Sequence, residues 1–232
     1  YKIIKEECGI LKQKGECEMT AEVISYLLSQ ENEKEYLQSQ MVLQCAPFLK
    51  RIKIAGMFCA KCFDEKICVE VLNNTDICYK LLYKVQSGFQ VFLYRKEEFQ
   101  NYLRRTEVRK FLIAYGYDCE HMENCLNLLR MRLECYLQKE QLFPHEIGVF
   151  LGYPPEDVKA FIKQNGKGAV LCGYWKVYSN IKKAQLQFLM YDMAKVHAVN
   201  EYLCGKSVWK IALQNNCFSW YNGEREKEEL TI

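Results

Sequence analysis

The chain has 232 residues, enough for one large domain or two small ones, and its 50% hydrophobic and 26% charged residues give the balance of a globular protein. The net charge of +3 is far below the basic excess typical of a nucleic-acid coat. No run approaches the roughly 18 consecutive apolar residues of a membrane span. The first residues lack the apolar core of a secretory signal. We therefore expect a cytoplasmic protein without a membrane anchor.

Helices and a few strands alternate in the N-terminal half of the sequence. Thr20 has the side chain of a helix N-cap, and Pro47 is expected to stop or kink a helix. Ser87-Gly88 predicts a turn between strands. We predict a helix from Thr20 to about Ser29, a helix over Glu33–Cys45, a buried strand over Ile52–Cys59, an ambiguous strand or helix within 64–86, and a strand over Phe89–Tyr94.

The C-terminal half is predicted to be mostly helical. Two helices, over about 96–114 and 119–139, are separated by Gly116, a suitable C-terminal cap. A further helix over Ile181–Tyr202 is expected to bury Leu186, Leu189, Met190 and Met193, and the last ten residues are expected to be solvated and disordered. These elements predict one α+β domain over residues 1–198, with a small sheet in the N-terminal half flanked by helices, a helix-rich C-terminal half, and an extension over 199–232.

The stretch from Phe143 to Tyr178 is the most informative part of the sequence. Two short helices are predicted here, the first from Pro144 and the second from Pro155, joined by the turn Gly152-Tyr153-Pro154. A strand over 168–178, interrupted at Gly173, is predicted to follow. Period-2 alternation along that strand places Tyr174, Lys176 and Tyr178 on one face.

The sequence of this stretch resembles a known family. Phe143-Pro-His-Glu-Ile-Gly-Val-Phe-Leu-Gly-Tyr-Pro-Pro-Glu-Asp-Val-Lys-Ala-Phe-Ile162, followed by Gly173-Tyr-Trp-Lys-Val-Tyr178, is similar to the DUF3793 family, uncharacterised proteins from anaerobic Gram-positive bacteria. Cys45-Ala-Pro47, Lys53-Ile-Ala-Gly-Met-Phe58 and Tyr94-Arg95 are similar too, so the resemblance covers about residues 35–195. It departs at Ala160, where the family has Gly, and in the tail after residue 198. The resemblance implies a bacterial protein and implies no activity.

The candidate site combines basic, acidic and phenolic side chains of this stretch. His145 and Glu146, at a helix start, are the candidate catalytic residues. His145 would point away from the apolar face of its helix, and the nearby helix N-terminus would keep it a neutral base or ligand. Tyr174, Lys176 and Tyr178 are the candidate ligand-binding residues, with Arg95 as a second cation. The alternative interpretation is a capped helix start with a surface histidine and an amphipathic strand edge. A zinc protease is excluded, since H-E-x-x-H would require histidine at Val149.

The 13 cysteines are odd in number and lack paired spacing, so we interpret them as reduced thiols. Cys59 and Cys62 form a C-x-x-C pair, which suits a redox centre or half of a zinc site. About one such pair is expected by chance from 13 cysteines in 232 residues, and no second pair completes the site. Cys45 lies at a helix C-terminus, where a buried structural thiol is favoured over a nucleophile. We therefore predict no metal site.

The leading hypothesis is binding of a small polar or anionic ligand, with catalysis as an extension of it. The alternative is a non-enzymatic interaction or regulatory module, with a helix-turn-helix-like arrangement over 144–163. Glu156 and Asp157 at the leading end of the second helix would repel phosphate, which disfavours nucleic acid. Gly205-Lys206-Ser207 lacks the glycine that a phosphate-binding loop requires at Asn200. The sequence specifies no cofactor, reaction or oligomeric state.

Overall fold

A computed structural model describes residues 20–86 and 88–213 as a mixed fold of helices around a small sheet. This confirms the predicted α+β class. The described elements are, in chain order, α1 (Ala21–Leu28), α2 (Glu33–Leu49), β1 (Ala55–Ala60), α3 (Glu65–Leu72), β2 (Ile77–Val85), β3 (Gly88–Arg95), α4 (Lys96–Arg104), α5 (Thr106–Ala114), α6 (Met122–Leu137), α7 (Ile147–Phe150), α8 (Pro155–Lys163), β4 (Leu171–Cys172), β5 (Lys176–Val177), α9 (Ile181–Leu203) and α10 (Val208–Leu213).

The main sheet is antiparallel, with β3 in the centre and β1 and β2 at its two edges. Side chains that alternate along β3 enter two different cores because successive residues of a strand point to opposite faces. Phe92 packs with α4 to α8 on one face, whereas Val91 and Leu93 pack with α2, α3, α9 and α10 on the other. The sheet is therefore covered by helices on both faces, which agrees with the nearly continuous burial of β3.

A third apolar cluster joins the β4–β5 hairpin to α9. It contains Trp175 and Val177 of the hairpin, Met190 and Ala194 of the helix, and Ile52 from the segment that leads into β1. This cluster attaches the informative stretch to the N-terminal half of the chain.

Several helices end in the same hydrogen-bonded turn, with one residue in the left-handed region. At the end of α5, Gly116 has φ 79° and its N–H donates to the carbonyl of Ile113, which confirms it as the predicted cap. At the end of α7, Gly152 has φ 81°, and the N–H of Tyr153 donates to the carbonyl of Gly148.

The structure differs from the sequence-based expectation at three places and resolves a fourth that was left open. Helix α2 continues through Pro47 to Leu49, because a proline near a helix end removes only one hydrogen bond. The ambiguous segment 64–86 contains a helix and then a strand. The predicted helix over 96–114 is two helices, since Arg105 has an extended backbone between them. The predicted strand over 168–178 is a hairpin of two short strands.

The burial of α9 also differs from the expectation. Met190 is buried, but Leu186, Leu189 and Met193 are 41%, 55% and 37% exposed. The buried face of the helix consists largely of small residues, Ala184, Ala194 and Ala198 among them. Small side chains let this helix approach the neighbouring elements closely, whereas apolar periodicity alone pointed to the larger residues.

The last ten residues, expected to be disordered, lie outside the described residues. Within residues 20–86 and 88–213, no helix combines the length and apolar character needed to cross a bilayer.

Candidate functional site

The turn between α7 and α8 packs against the segment that leads into β1. A Cβ atom on Gly152 would lie 2.8 Å from Cγ2 of Ile54, closer than real side chains approach. Only glycine allows both this contact and the positive φ of the turn. The neighbouring Tyr153 ring stacks on Trp175 of the hairpin with ring centroids 5.3 Å apart.

A buried carboxylate fastens the hairpin to α8. Asp157 accepts a hydrogen bond from Nε1 of Trp175 at 2.8 Å, from the backbone N–H of Tyr178 at 2.9 Å, and from the backbone N–H and hydroxyl of Ser179 at 3.0 and 3.1 Å. The sequence interpretation placed Asp157 on the outward face of its helix, but its side chain is buried. Only its four donors explain that burial, and they lie 18 to 22 residues away in the sequence.

The hairpin turns at Gly173 to Trp175, and this separates Tyr174 from Lys176. The hydroxyl of Tyr174 donates to Asp192 of α9 at 2.7 Å, and its ring meets that of Tyr191 at a centroid distance of 4.9 Å. Because the chain reverses here, strand alternation does not apply to Tyr174. The predicted face shared by Tyr174, Lys176 and Tyr178 is therefore not formed as a strand face.

His145 and Lys176 meet at the ring of Phe161. The imidazole centroid lies 5.0 Å from that ring, and Nζ of Lys176 lies 5.5 Å from it, so the two groups are no more than about 10.5 Å apart. Nζ of Lys176 also donates to the carbonyl of Gly166 at 3.1 Å. Phe143 packs edge-on against the other side of the imidazole at 5.1 Å. The structure thus brings together two of the predicted site residues around one aromatic ring.

Glu146 faces the interior of the protein. Its Oε1 accepts hydrogen bonds from Nη1 of Arg132 at 2.6 Å and from the hydroxyl of Tyr117 at 3.1 Å. Burial, and then the adjacent carboxylate, raise the pKa of Tyr117, so this hydroxyl stays protonated as a donor. Arg132 also donates to the carbonyl of Tyr115 at 2.7 Å. The contacts of Glu146 are therefore those of a partly buried ion pair that connects α6 to the start of α7.

Arg95 lies at the end of β3, where it closes the C-terminus of α2. Its guanidinium donates to the carbonyls of Phe48 and Leu49 at 3.0 and 3.5 Å and to Asp76 at 3.0 Å. The side chain is buried. A cation at this position satisfies helix carbonyls that have no partner within the helix. None of these contacts joins Arg95 to His145 or Lys176.

The described cysteines differ in burial, and burial affects how readily a thiol ionises. Cys45 is buried, and burial raises the pKa of its thiol to about 12, which favours a structural role over a nucleophilic one. Cys59 is half-buried and Cys62 exposed. Across the described part of the chain, no three His, Cys, Asp or Glu side chains are arranged to hold a metal ion.

The outward face of α8 bears on the helix-turn-helix alternative. Lys159 and Lys163 are both exposed on this face, as is Glu156 at its leading end. Since Asp157 is buried, only one of the two acids counted against phosphate stands on the surface. This finding weakens one of the sequence arguments against nucleic-acid binding, and the weak affinity for nucleic acid stays a prediction from the remaining acid and the low net charge.

One basic residue near the hairpin was not singled out from the sequence. Lys53 precedes β1, and its ammonium nitrogen lies 5.1 Å from the ring centroid of Tyr153 and 5.9 Å from that of Tyr191. No short motif marks it, because the three residues are far apart in the sequence.

Comparison with known proteins identifies the family of the chain. The model of the family described as "Protein of unknown function (DUF3793)" matches residues 41–212, which is more than half of the chain. The matched region includes both helical layers, the sheet and the hairpin. No curated protein and no solved structure matches the chain.

Proposed function

Because the chain belongs to the DUF3793 family of proteins of unknown function, its family supplies no activity, and from the geometry we propose that it binds a small anionic ligand between His145 and Lys176. The observation that carries the proposal is the approach of both groups to the ring of Phe161. An imidazole and an ammonium within about 10.5 Å can contact the same small molecule from two sides.

The two groups have different tasks in this proposal. Lys176 holds the anionic group in this proposal, because an ammonium is a cation with three hydrogen-bond donors. Its contact with the carbonyl of Gly166 at 3.1 Å positions it beside the ring of Phe161. His145 contributes a hydrogen bond, since an imidazole nitrogen can donate or accept one. If the ligand reacts, His145 is the group that transfers the proton.

The remaining predicted residues support the site without contacting the ligand. Tyr178, through its backbone N–H, and Asp157 fix the strand that carries Lys176. Tyr174 fixes the hairpin turn on α9, and Glu146 fixes the start of α7 next to His145. Arg95, at the end of β3, binds the C-terminal carbonyls of α2 and takes no part in ligand binding.

Sulfate is a suitable first probe, because its charge does not change between pH 5.5 and 8. We expect sulfate to raise the thermal unfolding temperature of the wild-type protein in a saturable way. Lys176→Met should abolish this shift, whereas Lys163→Met, which removes an exposed lysine from the outward face of α8, should keep it. A full shift in Lys176→Met would refute the proposal.

Substitution of His145 tests its role separately. His145→Ala should bind sulfate more weakly than the wild-type protein, because it removes a hydrogen-bonding group from one side of the ligand. An unchanged sulfate affinity in this variant would remove His145 from the site. The same assay, run with phosphorylated metabolites, nucleotides and carboxylates, would then rank ligand classes.

A further inference from the structure

The outer side of α9 carries apolar side chains that belong to none of the three apolar clusters. Counted from Leu186, they follow one another at alternating intervals of three and four residues. This is the spacing of the a and d positions of a heptad repeat, the pattern of helices that pair as coiled coils. The a positions are Leu186, Met193 and Asn200, and the d positions are Leu189, Val196 and Leu203. We call these six residues the α9 seam.

The seam faces solvent in the described structure. Its leucines and its methionine are between 37% and 55% exposed. Asn200 is exposed as well, and Val196 is half-buried. The opposite side of the helix, with Ala184, Ala194 and Ala198, packs on the rest of the molecule. Because that inner side already holds α9 in its helical form, pairing of the outer side does not have to offset the cost of forming the helix.

A second copy of this chain has the side chains that the seam requires. Knobs-into-holes packing needs two helices with the same repeat in the same register, and two identical copies meet that condition. Asn200 interrupts the apolar side chains of the seam. An amide buried between two helices needs a polar partner, and in a parallel pair the same amide of the other copy lies opposite it.

The residues beside the seam also agree with a parallel pair of copies. In such a pair, a g residue of one helix lies beside the e residue of the following heptad of the other helix. Asp192 is at a g position and His197 is at the matching e position. A carboxylate accepts several hydrogen bonds, so Asp192 can accept one from Tyr174 at 2.7 Å and another from an imidazole N–H of the second copy. Lys182 precedes the seam in the first turn of α9, where a long side chain can extend into solvent.

We propose that the α9 seam is a dimerisation surface, at which two copies of this chain pair through parallel α9 helices related by a twofold axis. The 23 residues of α9 span about 35 Å at the helical rise of about 1.5 Å per residue. A strip of that length and about 10 Å wide covers about 350 Å² on each copy. This is less than the roughly 800 Å² per partner of a standard interface. The dimer is therefore weak and exchanges with the monomer.

Sedimentation equilibrium of the full chain in a reducing buffer tests for the dimer. Over about 1–300 μM, the range that matches a weak interface, the measured mass should rise from that of one copy toward that of two. Leu189→Glu places two carboxylates at one d position of the pair and should raise the dimer Kd at least about tenfold. Met131→Glu adds the same charge at a similarly exposed apolar residue of α6 and should leave the dimer Kd within about twofold.

Cross-linking of an Asn200→Cys variant tests the parallel orientation. Thiol–disulfide exchange with oxidised glutathione should join the two introduced thiols and release reduced glutathione, and peptide mass spectrometry locates the link. In a parallel pair these positions are opposite each other. In an antiparallel pair centred on the seam they are about 16 Å apart along the axis, too far for a disulfide. The wild-type protein, which has an exposed Cys204, gives the background of linked copies.

The outcomes that contradict the proposal are distinct. A monomer at every concentration would overturn it, as would a dimer that Leu189→Glu and Met131→Glu weaken equally. A monomer that Leu189→Glu destabilises in urea denaturation would show that another segment of the same chain covers the seam, and it would overturn the proposal too. A dimer in which Asn200→Cys forms no more links than the wild-type protein would overturn the parallel pairing.

Discussion

At the scale of single residues, two adjacent acids of α8 have opposite environments. Glu156 is exposed, whereas Asp157 is buried and accepts four hydrogen bonds from Trp175, Tyr178 and Ser179. A buried carboxylate is tolerated only when donors replace its lost hydration. Asp157 therefore links α8 to the hairpin that carries Lys176.

The pair of acids offers a matched test of this link. Asp157→Asn should lower the free energy of unfolding by about 2–4 kcal/mol, because an amide nitrogen would face donors where the carboxylate had only acceptors. Glu156→Gln, the adjacent exposed change, should cost no more than about 0.5 kcal/mol. Urea denaturation measures both. Equal costs for the two variants would show that Asp157 does not hold the hairpin.

Two arginines that share Asp76 allow a second comparison. Arg95 is buried and also binds the carbonyls of Phe48 and Leu49, while Arg51 is partly exposed and pairs with Asp76 and Glu98.

Arg95→Met should cost about 2–4 kcal/mol of unfolding free energy, since it leaves buried helix carbonyls without a donor. Arg51→Met should cost about 0–1 kcal/mol, as expected for exposed ion pairs. Denaturation of both variants, together with the sulfate assay, tests the assignment. Loss of sulfate binding in a stable Arg95→Met protein would return Arg95 to the ligand site.

At the scale of elements, local turn chemistry was the most predictable part of the fold. The cap at Gly116, the two short helices around Gly152 and the strand before Arg95 all follow from residues that are neighbours in the sequence. The reversal at Gly173 was missed because its cause is distant: a Cβ at this position would lie 2.2 Å from the ring of Phe188 in α9. A sequence pattern shows the glycine, but it does not show that the ring of Phe188 packs against it.

The turn at Gly152 can be compared with a second left-handed glycine. Gly152 has φ 81° and faces Ile54, whereas Gly205 has φ 83° and no heavy atom within 4 Å of an added Cβ. Gly205→Ala should therefore cost only the backbone penalty of about 1 kcal/mol. Gly152→Ala should cost about 2–4 kcal/mol, because Ile54 must also move. Similar losses of unfolding free energy for the two variants, measured by urea denaturation, would mean that the turn at Gly152 accommodates the added Cβ without strain.

At the scale of the whole molecule, the structure depends on contacts that join distant parts of the chain. Lys53 meets Tyr191 across more than a hundred residues, and Arg95 meets Phe48 across 47. Residue types and spacing could indicate His145 and Lys176 as candidates, because both lie in one short stretch. They could not indicate Lys53 or the inward direction of Glu146, since these follow from packing among three apolar clusters.

The buried thiols make a property of the whole molecule predictable, its stability at alkaline pH. Burial raises the pKa of Cys45, Cys68 and Cys125 from 9.0 to about 12. Between these values the unfolded chain loses thiol protons that the folded chain keeps, so the free energy of unfolding falls as pH rises. Each thiol contributes about 1.4 kcal/mol per pH unit. Lys53, whose pKa is lowered to about 8, acts in the opposite direction up to about pH 10.5.

We therefore expect the wild-type protein to lose at least about 2 kcal/mol of unfolding free energy between pH 9 and pH 10.5, measured by urea denaturation in a reducing buffer. Buried tyrosines such as Tyr83 and Tyr102, whose pKa is also raised by burial, add to this loss. Cys45→Ala should be less stable at pH 7 because of the cavity, but its stability should decline less steeply above pH 9. Lys53→Met should decline more steeply, because it removes the group that opposes the thiols. A decline with the same slope in all three proteins would show that neither buried group is coupled to alkaline unfolding.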